Sequence, residues 1–230
     1  MRSSLRVALL LTTLTAAAAG RAEAQALGLP VYNAGVPSGI ALYGDVGLPI
    51  GDVAGGTALG LTGRAGFGPL GATATVSHSL ETDDLPNVEG GITSLGATLN
   101  YRLVGGPLIP LSATLQAGAG FWKTTLTTNT GAVVDEQTVL RFPVGVGIGL
   151  NVPNPAFSLR PWVAPRADVV RLSSDIGGDD TEVDFAVSAG VELNLLSGIG
   201  LHAAYDWSAA EGHPQTFGVG AHYAFRVPGL

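Results

Sequence analysis

Apolar and small polar residues alternate with period two along most of this chain, in about ten segments separated by turn-forming residues. Only a β-strand sends successive side chains to opposite faces, so the pattern dictates strands and excludes amphipathic helices. The clearest segment sets Leu111, Ala113, Leu115, Ala117, Ala119 and Phe121 against Ser112, Thr114, Gln116, Gly118 and Gly120. Another sets Phe142, Val144, Val146, Ile148 and Leu150 against Pro143, Gly145, Gly147, Gly149 and Asn151. The last sets Phe217, Val219, Ala221, Tyr223, Phe225 and Val227 against Gly218, Gly220, His222, Ala224 and Arg226. The alternation predicts strands near 38–49, 57–67, 71–80, 92–103, 110–126, 137–151, 157–172, 183–195, 199–208 and 216–227.

The links between these segments carry a second regularity. Tight connections at Gly68-Pro69-Leu70, Val104 to Ile109, Val152 to Ala156 and Leu196-Ser197-Gly198 alternate with the others, which include long polar stretches at 81–91, 127–136 and 173–182. Short turns on one rim and longer loops on the other are the arrangement of outer-membrane barrels, periplasmic and extracellular respectively. The expected fold is therefore an all-β, closed, antiparallel up-and-down transmembrane β-barrel. Ten strands, or eight if the first two segments stand apart, give the even count that leaves both termini in the periplasm.

Composition decides which face meets lipid. Only 13% of the residues are charged, against about 25% in a typical soluble domain, and neither register offers a face polar enough for water. The non-apolar register, rich in Gly, Ser, Thr and Ala, suits a narrow lumen. The apolar register carries Phe67, Tyr101, Phe121, Phe142, Phe157, Phe185, Tyr205, Trp207, Phe217 and Phe225 near strand ends, as interfacial girdles require. Among the charged residues, Arg64, Arg102, Arg141, Arg160, Arg166 and Arg226 share the lumen register with Asp45, Asp168, Glu192 and Asp206. Charge held away from water is costly unless paired, so these residues are expected to form a charge network inside the barrel. Lys123 and Arg171 fall in the lipid register close to strand ends, where long side chains reach the interface.

Ahead of the strands, Arg2 and Arg6 precede an apolar run from Val7 to Ala19, and Ala22-Glu23-Ala24 supplies small residues for signal peptidase. Residues 1–24 are expected to be a cleaved export signal, with cleavage after Ala24. The run is shorter than the roughly 20 residues a spanning helix needs, and no longer one follows. Cleavage removes three of the 11 basic residues (Arg2, Arg6, Arg21) and one of the 18 acidic ones (Glu23), taking the net charge from −7 to −9. That balance argues against nucleic-acid binding. Cysteine is absent, which excludes disulfides, thiolate metal sites and thiol nucleophiles. Residues 25–37 are expected as a periplasmic N-terminal segment, with a plug or an added strand as alternatives, and residues 38–230 as the barrel.

Together the export signal, the alternation and the closing strand Thr216 to Val227 resemble the family of small outer-membrane β-barrels, the OmpA-like and OmpX-like group. Members end on an aromatic read by the barrel-assembly machinery. Tyr223 and Phe225 fit that feature, although Arg226 to Leu230 follow them. The resemblance implies outer-membrane localisation and assembly by that machinery. No peptidoglycan-binding domain is expected after the barrel.

Side chains capable of chemistry are few. His78-Ser79 is the one adjacent His–Ser pair, and it lacks the His-x-Ser-Asn pattern of lipid A deacylases. Asp206 and His213 lie where an acid–base pair could form near the outer rim, and His202 and His222 share the lumen register on neighbouring strands but have no evident third metal ligand. The loop Asp175-Ile-Gly-Gly-Asp179-Asp180-Thr-Glu182 is rich in oxygen ligands without EF-hand spacing. Its acids could meet lipopolysaccharide through divalent cations. Gly145-Val-Gly147-Ile-Gly149 does not open a helix, so it marks close backbone approach or tight curvature rather than a dinucleotide site. No catalytic residue, cofactor site or metal site is expected. The expected function is a non-enzymatic, structural or surface-presenting role in the envelope. A narrow channel is the alternative, and a lipid-modifying enzyme comes after it.

Overall fold

The computed structural model describes residues 26–36, 39–50, 56–80, 91–106, 109–127 and 133–225. The expected signal peptide, Arg226 and the acidic part of the 81–91 link from residue 81 to 90 lie outside them. Among the described residues eleven strands occur, in the order β1 (Gly39–Ile50), β2 (Ala58–Phe67), β3 (Leu70–Ser79), β4 (Ile92–Gly106), β5 (Ile109–Thr127), β6 (Val133–Leu150), β7 (Val152–Pro153), β8 (Phe157–Ser174), β9 (Gly178–Leu195), β10 (Ile199–Ser208) and β11 (Gln215–Phe225). Strand β7 is two residues long and prolongs the line of β6. The wall is thus ten long strands.

Each strand pairs antiparallel with its neighbour in sequence, β11 pairs with β1, and β6 pairs with β8. The sheet therefore closes on itself with no free edge, which is what lets a sheet cross hydrocarbon without orphaned backbone groups. The alternation read from the sequence maps directly onto the wall. In β1, Ile40, Leu42, Val46 and Leu48 face outward while Ala41, Tyr43, Asp45 and Gly47 face the lumen. Outward aromatics include Phe67, which is 68% exposed, with Tyr101, Phe157 and Phe225 near the short-turn rim, and Phe121, Phe142, Phe185 and Phe217 toward the other.

Turn chemistry follows local rules. Gly68 takes φ +57° in the two-residue Gly68-Pro69 link, the positive φ that hairpin turns matched to strand twist require. The β4–β5 hairpin runs irregularly, with register shifts between Arg102 and Gly106.

The expected loop over 173–182 is corrected. Strand β8 continues to Ser174, residues 175–177 make the turn, and β9 starts at Gly178, with Arg171 opposite Thr181 and Leu172 opposite Asp180. Eight residues, Gly178 to Phe185, lie beyond Ala186, the last residue of β9 to pair with β10. At about 3.3 Å per residue they raise a hairpin of roughly 25 Å along the strand. The link at 127–136 shortens likewise, because β6 begins at Val133 and Thr127 pairs with it. Above the membrane both faces of a strand meet water, so the backbone ladder persists after the apolar alternation has gone.

For the N-terminal segment the structure takes the plug among the alternatives: residues 26–36 lie inside the barrel's lumen, where Val31 is 1% and Asn33 2% exposed. From Gly39 at the short-turn rim, the chain read backwards climbs past Arg102 and Arg64 at Val36 and Gly35. It reaches Ser77 and Ser94 at Leu27. There Leu27 packs with Ile92, Trp122 and Val139 toward the long-loop rim.

Candidate functional site: the filled lumen

Lumen side chains fall into two polar groups separated by height. Nearer the long-loop rim, Arg166 makes a two-point pair with Asp206 (2.8 and 2.7 Å) and donates from Nε to both oxygens of Asp168 (3.1 Å). Arg141 pairs with Asp168, and Ser188 bonds to both Arg166 and Asp206. Arg141 is fully buried. A planar guanidinium suits this task because it can align two donors with one carboxylate, as Arg166 does with Asp206.

Nearer the short-turn rim, Arg64 donates to Glu192 at 3.0 Å, to the Tyr43 hydroxyl at 3.1 Å and to the Gly35 carbonyl at 2.8 Å. Arg160 stands 4.0 Å from the second oxygen of Glu192 and is part-exposed. Beside them, Asp45 meets His202 Nε2 at 2.6 Å, His202 and His222 approach at 3.4 Å through their Nδ1 atoms, and His222 Nε2 meets Asn194 at 2.8 Å. Tyr43 stacks on His222 with centroids 4.6 Å apart. Gly200 and Gly220 make room for the two rings, since a β-carbon at either would strike an imidazole.

Of the residues expected in the lumen, Arg141, Arg166, Asp168 and Asp206 come together in the upper group, and Arg64, Arg160 and Glu192 in the lower. Asp45 joins His202 rather than an arginine. Arg102 pairs with no carboxylate among the described residues and instead donates to the Val36 carbonyl at 3.1 Å. Outside the lumen, Lys123 is exposed on the outer face and Arg171 pairs with Asp179 at 2.7 Å on the tall hairpin.

The adjacent and near-rim pairs do not assemble. Neighbours on a strand face opposite ways, so His78 lies on the outer face, bonded to Thr93 at 3.0 Å, while Ser79 faces inward. Asp206 is held by Arg166 and Ser188, whereas His213 stacks on Trp207 with centroids 6.1 Å apart. Among the described residues no three His, Cys, Asp or Glu side chains gather as a metal site.

Sequence reasoning left the occupant of the lumen open. Its signal lay in the lumen-register glycines. A β-carbon at Gly147 would lie 2.5 Å from the Asn33 carbonyl oxygen, and one at Gly218 would lie 2.6 Å from Pro30 Cδ. At Gly47 and Gly60 it would run into Gly28 and Leu29. These glycines leave room for a chain rather than for curvature alone.

A sheet closed in this way, apolar around its outer face and charged within, is a membrane-spanning barrel of the outer-membrane type, and the protein is an outer-membrane β-barrel. No protein-family model and no curated protein sequence matches the chain. Among solved structures it is similar to the β domain of the Bordetella autotransporter BrkA, at 17% identity over 81% of this chain and 98% of that one, with a TM-score of 0.49. It is also similar to the translocator domain of NalP from Neisseria meningitidis (16% identity, 97% of each chain, TM-score 0.45). A third is the N-terminal barrel of OprF from Pseudomonas aeruginosa (12% identity, 81% and 96% of the chains, TM-score 0.37).

Proposed function

We propose that the protein serves the cell envelope as a closed, non-enzymatic barrel that contributes to its integrity and presents the β8–β9 hairpin at the surface. The observation that carries this reading is the filled lumen. Residues 26–36 occupy it, with Leu29, Val31, Asn33 and Ala34 all buried, and ion pairs brace the space around them. An eight-strand barrel is just wide enough for side chains to fill it, so ten strands leave room for an additional chain. A narrow channel would need that segment displaced. The test is single-channel recording of the purified protein in planar bilayers. Traces should stay silent at the full applied voltage range, and reproducible ion-conducting steps from the intact chain would replace this reading with the channel.

A further inference from the structure

Wall residues grip the segment inside the lumen largely by its main chain. The Leu27 amide donates to Ser94 Oγ at 2.8 Å, and Ser77 Oγ donates to the Leu27 carbonyl at 2.8 Å. Gln116 Nε2 donates to the Tyr32 carbonyl at 3.3 Å, Arg64 to that of Gly35 and Arg102 to that of Val36. These five side chains stand on β2 to β5, one side of the barrel. The other side offers close backbone approach instead, through Gly47 on β1 against Gly28 and Gly147 on β6 against Asn33, while Gly218 on β11 makes room for the Pro30 and Tyr32 side chains.

The occupant suits such a grip. Residues 26–36 contain no charged side chain. The stretch from Leu27 to Val36 accompanies β4 from Ser94 to Arg102, eight residues or roughly 27 Å of strand at about 3.4 Å each. Nine residues cover that distance only when most of the chain is close to extended, the exception being a turn at residues 26–29, where the Leu29 amide donates to the Ala26 carbonyl at 3.2 Å and Gly28 takes φ +74°. Leu27 and Ala34 are seated against apolar wall clusters at the two ends, with Trp122 at one and Trp162 at the other.

We propose that the lumen is a peptide-binding groove for an uncharged segment that enters by a turn and then runs largely extended, recognised mainly through its main chain, and that residues 26–36 are a separable ligand held there in cis. This rests on the closed-barrel reading, because an empty lumen would have no ligand to define. The experiment places a protease recognition sequence between Val36 and Gly39 and cuts the folded, detergent-solubilised full chain. The cut segment should either remain at one per barrel or exchange with a fluorescent peptide of residues 26–36. Methylating that peptide's Leu27 amide nitrogen, which removes the donor to Ser94, should weaken binding at least tenfold. A segment that leaves on cutting, with no saturable rebinding of the labelled peptide to a barrel that still shows a heat-dependent gel shift, overturns the proposal.

Should the inserted site resist cleavage, Gly218→Val in the full chain gives a second measurement. Its side chain should push out Pro30 and raise the labelling rate of a Val31→Cys probe by a water-soluble maleimide at least tenfold. Unchanged protection of that single cysteine would also overturn the proposal. Conductance from the uncut chain counts against closure itself, whereas failure to rebind peptide counts against the groove alone.

Discussion

Replacing Arg166 by Met removes the cation that two buried carboxylates share. Arg166 is buried and holds Asp206 through two bonds of 2.8 and 2.7 Å while also bonding Asp168. After the change Asp168 keeps Arg141, whereas Asp206 loses both of its bonds to the Arg166 guanidinium and keeps the Ser188 hydroxyl. Breaking a buried pair by deleting one partner costs about 3–5 kcal/mol, because the remaining charge is left uncompensated. With one carboxylate still partnered, a loss of about 4 kcal/mol is expected. At a urea m-value of about 2 kcal/mol/M that lowers the unfolding midpoint by about 2 M. The assay is reversible urea unfolding of the barrel in lipid vesicles, followed by tryptophan fluorescence. The double variant Arg166→Met, Asp206→Leu should recover most of the loss, since it leaves no unpaired charge. A single-variant loss below about 1 kcal/mol, as for a solvated surface pair, or a double variant as unstable as the sum of its parts, would refute the reasoning.

Two further outcomes follow from the wall and the hairpin. Ala221 faces outward on β11, four residues from each of Phe217 and Phe225, so Ala221→Arg places charge near mid-membrane. It should cost about 2–4 kcal/mol in the same unfolding assay, and a cost near zero would contradict the lipid-facing register. On the tall hairpin, hydrogen bonds from Arg171 and Ser173 hold the Asp179 carboxyl below its ordinary value of 3.8. Its contribution to hairpin stability is therefore present above that value and is lost as pH falls through the depressed one. For Glu182, partial burial and then the nearby charges of Asp184, Asp180 and Glu211 act in the opposite direction and raise the carboxyl above 4.5. Its contribution is largest at low pH and fades as pH rises through the raised value. Side-chain NMR titration should find Asp179 titrating below Glu182, and the reverse order would contradict the hairpin geometry.

Strand-by-strand architecture was legible because the membrane imposes the strongest possible contrast on a sheet. Leu111, Leu115 and Phe121 must meet hydrocarbon while Thr114 and Gln116 must avoid it, and a period of two records that directly in the sequence. The same contrast put Arg64, Arg141, Arg166, Asp168, Glu192 and Asp206 on the inner face. Where it vanishes, legibility ends. The ladder from Arg171 to Ser174 against Gly178 to Thr181 stands above the membrane, and there polar residues on both faces resemble a loop.

By itself, the sequence determined the barrel, the facing of each strand and the inventory of charges committed to the lumen, because one-dimensional periodicity encodes a two-sided environment. Tertiary structure alone decided the partners. Asp45 meets His202, 157 positions away, and Arg64 meets Glu192, 128 positions away, by the way a closed cylinder brings distant strands across from one another. It also decided the fate of residues 26–36. An uncharged segment without period-two alternation carries no local instruction to enter a barrel. The space left by Gly47, Gly60, Gly147 and Gly218, on four separate strands, exists only once the sheet has closed around it.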